Sequence, residues 1–204
     1  MKAPTRQGPP TLETTARQGK LNKVIDQRRE GVVVLQDIHD PHNAAAVWRN
    51  CDAMGWQKVY LIFEQEKVFN PKKVGKVSSS SANKWLDFKI FKSTKECYEM
   101  LKNEGYKIYV TVLDKEAVDL SLSDFRSQKK IAIVFGNEHR GVTQEAIDGA
   151  DAKIYIPMRG MVQSLNLSVS AGIVLWEVER QRGQETGNWK LETGEKEEIK
   201  KRWR

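Results

Sequence analysis

The stretch Ile131-Ala-Ile-Val-Phe135-Gly-Asn-Glu138-His-Arg-Gly141 is the place to start. Five consecutive apolar residues, ended by a glycine and a polar turn, have the length of a strand that is buried on both faces. Similar runs stand at Val32–Leu35, Val59–Phe63, Lys107–Leu113 and Ile154–Pro157. Helical stretches separate them. One runs from Thr11 to about Glu30 and is closed by Gly31. A second covers Ala44–Met54, with Asn43 as its N-cap and Gly55 as its stop. A short helix follows the Ser78–Ser81 turn. Others run from Ser93 or Thr94 to Glu104, over Thr143–Gly149, and from a capping Ser164 to about Arg182. A glycine-containing linker, Gly183–Gly194, leads to a charged C-terminal helix. Strands alternating with helices predict an α/β protein with a mainly parallel sheet covered on both faces. The expected division is a basic N-terminal extension (1–30), a central domain (31–182), and a linker with a basic C-terminal helix (183–204).

Composition narrows the function. The 204 residues are 39% apolar and 30% charged, which suits a globular core. No apolar run approaches the ~18 residues of a membrane span. The first 20 residues lack the apolar segment of a secretory signal. Two cysteines, Cys51 and Cys97, are too few for a disulfide scaffold, and a reducing cytoplasm is expected. No H-x-x-x-H or C-x-x-C spacing supports a metal. No G-x-G-x-x-G follows a strand, no G-x-S-x-G is present, and Gly136–Gly141 continues into Val142-Thr143 where a phosphate-binding loop needs Lys-Ser/Thr. The net charge of +7 is concentrated in the first 30 residues, which carry 7 cations and 3 anions, and in Lys200–Arg204. Basic ends are either solubilising segments or the footprint of a polyanion.

Three clusters ask for explanation. In Asn43-Ala-Ala-Ala-Val-Trp-Arg49 a lone arginine follows an apolar helical run. It either meets an anion, or it snorkels outward or pairs with Asp52. Gly136–Gly141 follows a buried strand, where α/β folds bind ligands. An ordinary turn with a solvated Glu138 is the other reading. In Ile154–Ser168, Ser164, Asn166 and Ser168 stand at the mouth of a helix that is apolar nearly all round through Leu175. Such a helix is suited to packing on the sheet and on a partner chain; a plain helix cap is the alternative.

Taken in order, the clusters resemble the three motifs of the SpoU/TrmH family of RNA ribose 2′-O-methyltransferases, of the SPOUT class. The first has Asn43, Ala46, Arg49 and Gly55 in place. The second has Gly136, Glu138 and Gly141. The third has Ile156, Pro157, Met158, Gly160, Ser164, Leu165, Asn166 and Ser168. The resemblance spans about residues 20–182, and His39–Asn43 with Arg180-Gln181-Arg182 brings the chain nearest to members that methylate guanosine 18 of tRNA. It implies a C-terminal deep trefoil knot, an exception to the rule against knots. It also implies a homodimer and S-adenosylmethionine held at Thr111, Gly136, Ile156 and Leu165. Catalytic roles fall on Arg49, Asn43, Glu138, Ser164 and Asn166. Phosphate contacts are expected from Arg17, Lys20, Lys23, Arg28 and Arg29 at the front. At the back they are expected from Arg180, Arg182, Lys200, Lys201, Arg202 and Arg204. A ribosomal RNA target, another tRNA position, and a knotted RNA-binding protein without activity are the alternatives.

Overall fold

The computed structural model describes residues 12–74, 82–183 and 189–203. The expected Ser78–Ser81 turn, the helix start at Thr11, residues 184–188 of the expected 183–194 linker and Arg204 lie outside them.

One compact unit comprises residues 29–189. Its seven strands are β1 (Arg29–Gln36), β2 (Trp56–Ile62), β3 (Asp87–Phe91), β4 (Lys107–Thr111), β5 (Val118–Asp119), β6 (Ile131–Phe135) and β7 (Ala152–Tyr155). They form a sheet in the order β3-β2-β1-β6-β4-β7-β5, and every strand pair in it is parallel. Alternate residues of β1 face two separate cores. Val33 and Leu35 pack with Ala44, Val47, Trp48 and Leu175. Val32 and Val34 pack with Cys97, Leu101 and Ala146. The helices supplying those residues are α2 (Pro41–Ala53) and α5 (Leu167–Gly183) on one face, and α3 (Thr94–Asn103) and α4 (Gln144–Gly149) on the other. Both faces are therefore covered, which is why the strands read as unbroken apolar runs.

Several local expectations change. Asp40, not Asn43, caps α2: its carboxylate accepts the His42 N–H and Pro41 opens the first turn. Asn43 lies inside the helix. Ser164 does not cap α5; Asn166 does, accepting the N–H of Ser168 at 2.9 Å. Gly31 is not a helix stop but sits within β1, where a Cβ would come 2.7 Å from the Trp56 ring. The edge strands β3 and β5 carry too little apolar sequence to be read as strands. The short helix expected next is a single 3-10 turn, Ala82–Lys84, leading into β3.

The second unit is built from both ends of the chain, residues up to 28 and from 190 onward. Within it α1 (Leu12–Asp26) and α6 (Thr193–Trp203) share a small core of Ile25, Leu191 and Ile199, with Trp203 against it.

Candidate active site

A cavity of about 790 Å³ opens at the carboxyl ends of β4, β6 and β7, the edge of an open α/β sheet where ligands bind. Its floor starts at Gly136. A Cβ there would stand 2.3 Å from the Gly141 carbonyl carbon and 2.4 Å from the Val142 nitrogen. Only glycine lets the following turn fold back on the strand. Gly141, at φ +70, completes the reversal, and Asn137 and Gly141 exchange two backbone hydrogen bonds of 2.9 Å. The buried Asn137 side chain braces the turn from within. Its Oδ1 accepts the N–H groups of His139 and Arg140, and its Nδ2 donates to the Asp37 carbonyl at 2.6 Å.

That turn presents Glu138 to the start of α2. One carboxylate oxygen accepts the His39 N–H at 3.0 Å; the other accepts Asn43 Nδ2 at 2.9 Å and the Asp40 N–H at 3.4 Å. Asn43 Oδ1 in turn accepts Asn166 Nδ2 at 3.3 Å. Three residues from distant parts of the sequence thus form one polar chain across the mouth of the cavity. Asn43, Glu138, Ser164, Asn166, Thr111, Gly136, Ile156 and Leu165 all line this cavity. The Thr111 hydroxyl is committed elsewhere, donating to the Val134 carbonyl at 2.9 Å.

Arg49 is the exception. It is exposed and lies in a separate shallow hollow beside Ala46, Asn50, Ser168, Gly172 and Ile173. Within the single chain it makes no hydrogen bond or ion pair with a described residue. Of its helix, the buried positions are Ala44, Ala45, Val47, Trp48 and Cys51, so the apolar sequence around Arg49 is the inward face and the arginine points the other way. The face of α5 next to it leaves Val169, Ile173 and Trp176 exposed. The second apolar side expected of that helix exists, and nothing in the chain covers it among the described residues.

Sequence reading missed a brace behind the site. Asp37, buried and at φ 50, accepts the successive N–H groups of Glu64, Gln65 and Glu66 on one oxygen. Its only sequence signal is an acid separated by one residue from the apolar run Val32–Leu35, a residue type that tolerates positive φ. Glu66 then bridges His39 (3.1 Å) and Arg140 (2.6 Å). Hydrogen bonds from Arg140 and then from His39 hold its carboxyl below the usual range.

The basic residues divide into exposed and structural ones. Arg17, Lys20 and Lys23 on α1 are exposed, as are Lys201 and Arg202 on α6; Lys200 pairs with Glu197. Arg180 is half-exposed and gripped by Glu177, and Arg29 reaches Glu179 at 2.9 Å. Two nominations for phosphate contact are corrected. Arg182 is 1% exposed, donates to the carbonyls of Glu30, Gln128 and Lys129, and lies over the Trp189 ring. Burial lowers its pKa to about 10, so it stays charged at neutral pH. Arg28 is equally buried, over the ring of Trp203. Neither guanidinium is presented to a polyanion.

A parallel sheet with its cavity at the carboxyl ends, closed by a glycine turn bearing one carboxylate, defines a small-ligand site of the α/β type. Residues 30–176 match the model of the SpoU rRNA methylase family, and the chain belongs to that family. The tRNA (guanosine(18)-2′-O)-methyltransferase of Thermus thermophilus is 37% identical over 172 residues, 83% of this chain and 84% of that protein. The crystal structure of the Aquifex aeolicus TrmH/SpoU tRNA modifying enzyme superposes with a TM-score of 0.81 at 32% identity, covering 94% of this chain and 96% of that one. An AdoMet-bound rRNA methyltransferase from Sinorhizobium meliloti superposes with a TM-score of 0.67 at 26% identity, over 78% of this chain and 59% of that one.

Proposed function

We propose that this chain methylates the ribose 2′-hydroxyl of guanosine 18 in the D-loop of tRNA, with S-adenosylmethionine as donor. The observation that carries the reading is the Glu138–Asn43–Asn166 chain at the mouth of the cavity, with relatives of that activity aligned over most of their length. The cavity suits the donor. Leu120, Ile154, Ile156 and Leu165 offer apolar walls for an adenine ring. Of the cavity lining, Met158, Gln163, Ser164 and Leu165 make no hydrogen bond within the chain among the described residues, so their main-chain groups are open to its polar edge. When bound, S-adenosylmethionine supplies an electrophilic methyl on a sulfonium.

The chain's own residues do the rest. A 2′-hydroxyl is a poor nucleophile until its developing charge is stabilised. Arg49 does this as an oriented cation, since a guanidinium does not give up its proton; a tRNA phosphate helps to take the proton. Glu138, tied to two N–H groups of the α2 start, fixes Asn43, and Asn43 with Asn166 and Ser164 orders the mouth and the ribose. Because Arg49 is outside the cavity of its own chain, we place its work in a homodimer formed across Val169, Ile173 and Trp176. These lie at i, i+4 and i+7 on one stripe of α5. We further infer the trefoil knot from family membership and from the return of the chain after β7 across the cavity. Residues 31–182 carry the chemistry, and the basic segments 1–30 and 183–204 hold tRNA. Two buried free cysteines suit a cytoplasmic enzyme.

Incubation with methyl-labelled donor and unmodified tRNA, followed by nucleoside mapping, tests this. The expected product is 2′-O-methylguanosine at position 18 alone. Label at another position, or in ribosomal RNA only, assigns the chain to the other members of its family. Failure to bind the donor at all makes it a binding protein.

A further inference from the structure

Arg159, Met161 and Val162 belong neither to the cavity lining nor to the polar chain at its mouth. Met158 and Gln163 both line the cavity, and the four residues between them do not; they therefore project from its rim. All four are exposed. Met161 is fully exposed, and Val162 is 63% exposed. Arg159 has no carboxylate or other polar partner among the described residues. Two apolar side chains held in water next to an uncommitted cation contribute nothing to this chain's own core. At the same mouth, the 136–141 turn contributes His139 and Arg140 to the cavity lining. Glu138 is already occupied by three N–H donors. Arg140 is already paired with Glu66, so Arg159 stands uncommitted at a rim whose tip is apolar.

We propose that Arg159–Val162 is an RNA wedge: Met161 and Val162 fill the gap beside the target nucleotide when it leaves its stack, and Arg159 holds an adjoining phosphate. The inference rests on the methyl-transfer reading above and names how that site takes its substrate. A ribose inside a folded RNA reaches a walled cavity only if its nucleotide is turned out. The step left behind exposes ring faces, and methionine and branched aliphatic side chains are among the residues that proteins insert there. A cation beside the wedge neutralises the backbone it bends.

The test places 2-aminopurine next to guanosine 18 in a tRNA transcript and follows its fluorescence on mixing with the full-length protein. The wild type should raise the signal as the step unstacks. The double variant Met161→Ser/Val162→Ser should not. Its turnover should fall roughly tenfold to a hundredfold, the unstacking energy no longer being repaid, while affinity for S-adenosylmethionine stays at the wild-type value. Met161→Leu should restore both. Arg159→Ala should weaken tRNA binding and lower the salt slope by about one. Arg159, Met161 and Val162 are all exposed, so these variants should keep the fold, checked by circular dichroism. Wild-type fluorescence and turnover in the double variant would overturn the wedge. So would a double variant that sediments as a monomer when the wild type is a dimer, because the tip would then belong to a second copy of the chain. If the wild type methylated no tRNA, the activity reading would fail first, and the wedge with it.

Discussion

Arg49 and Arg182 show how little an arginine's sequence neighbours say about its task. Arg49 sits in the more apolar stretch and is exposed. Arg182 sits in the charged run Glu179-Arg180-Gln181-Arg182 and is buried. Burial follows helix phase, and phase is not set by composition. The two make opposite predictions. Arg49→Lys keeps the charge and loses the planar fork, and turnover should fall by roughly 10²–10³ with the melting temperature and donor affinity unchanged. Arg182→Met keeps the packed stem and strands three main-chain carbonyls. Stability to denaturant should drop by about 2–4 kcal/mol, while the salt dependence of tRNA binding should not move. A change in that slope would restore Arg182 to the phosphate contacts.

At the scale of elements, α5 joins the sheet on one side and leaves an apolar stripe exposed on the other. Its inner stripe, Ala171, Val174, Leu175 and Val178, seats on the sheet, and Glu179 reaches Trp56 Nε1 at 3.0 Å and Arg29 at 2.9 Å. Burial raises the Glu179 carboxyl above its ordinary value of 4.5, against the pull of Arg29. The folded state then holds this proton more tightly than the unfolded chain does. The contribution to stability is complete below the unfolded pKa and is lost as pH climbs through the folded one. Denaturation curves taken at rising pH above 4.5 should show wild-type stability declining relative to Glu179→Gln; parallel curves would refute the assignment. Much of this layer was legible. Five strands and the central helices follow from apolar runs, and the polar chain at the cavity mouth was assembled from motif residues that the sequence already displays. The rest was hidden for physical reasons. Asp40 outcompetes Asn43 as a cap because Pro41 fixes the first helical φ. Strand β3, with Asp87 and Lys89 on an edge, lacks the run that marks a buried strand. Asp37 works through three N–H groups of a segment 27 to 29 residues away, a partnership that no local pattern announces.

For the whole molecule, the exposed stripe of α5 and the separate hollow of Arg49 point the same way. Trp176→Glu with Ile173→Glu should convert a dimer into a monomer in sedimentation velocity and abolish methyl transfer, with the circular dichroism of the fold retained. A monomeric wild type would remove the basis for placing Arg49 at a shared site.

The opposite rim of the sheet has its own consequence. There Lys58 and the Tyr106 hydroxyl both bond the buried carboxylate of Glu30, and the ammonium of Lys130 rests on the Tyr106 ring. This cluster of charge and aromatic surface ties the beginnings of β1, β2, β4 and β6, none of which helps to form the cavity mouth. Wear at the two rims is thus uncoupled. A substitution in the loops at the cavity mouth leaves this fastening untouched, and the sheet keeps its register.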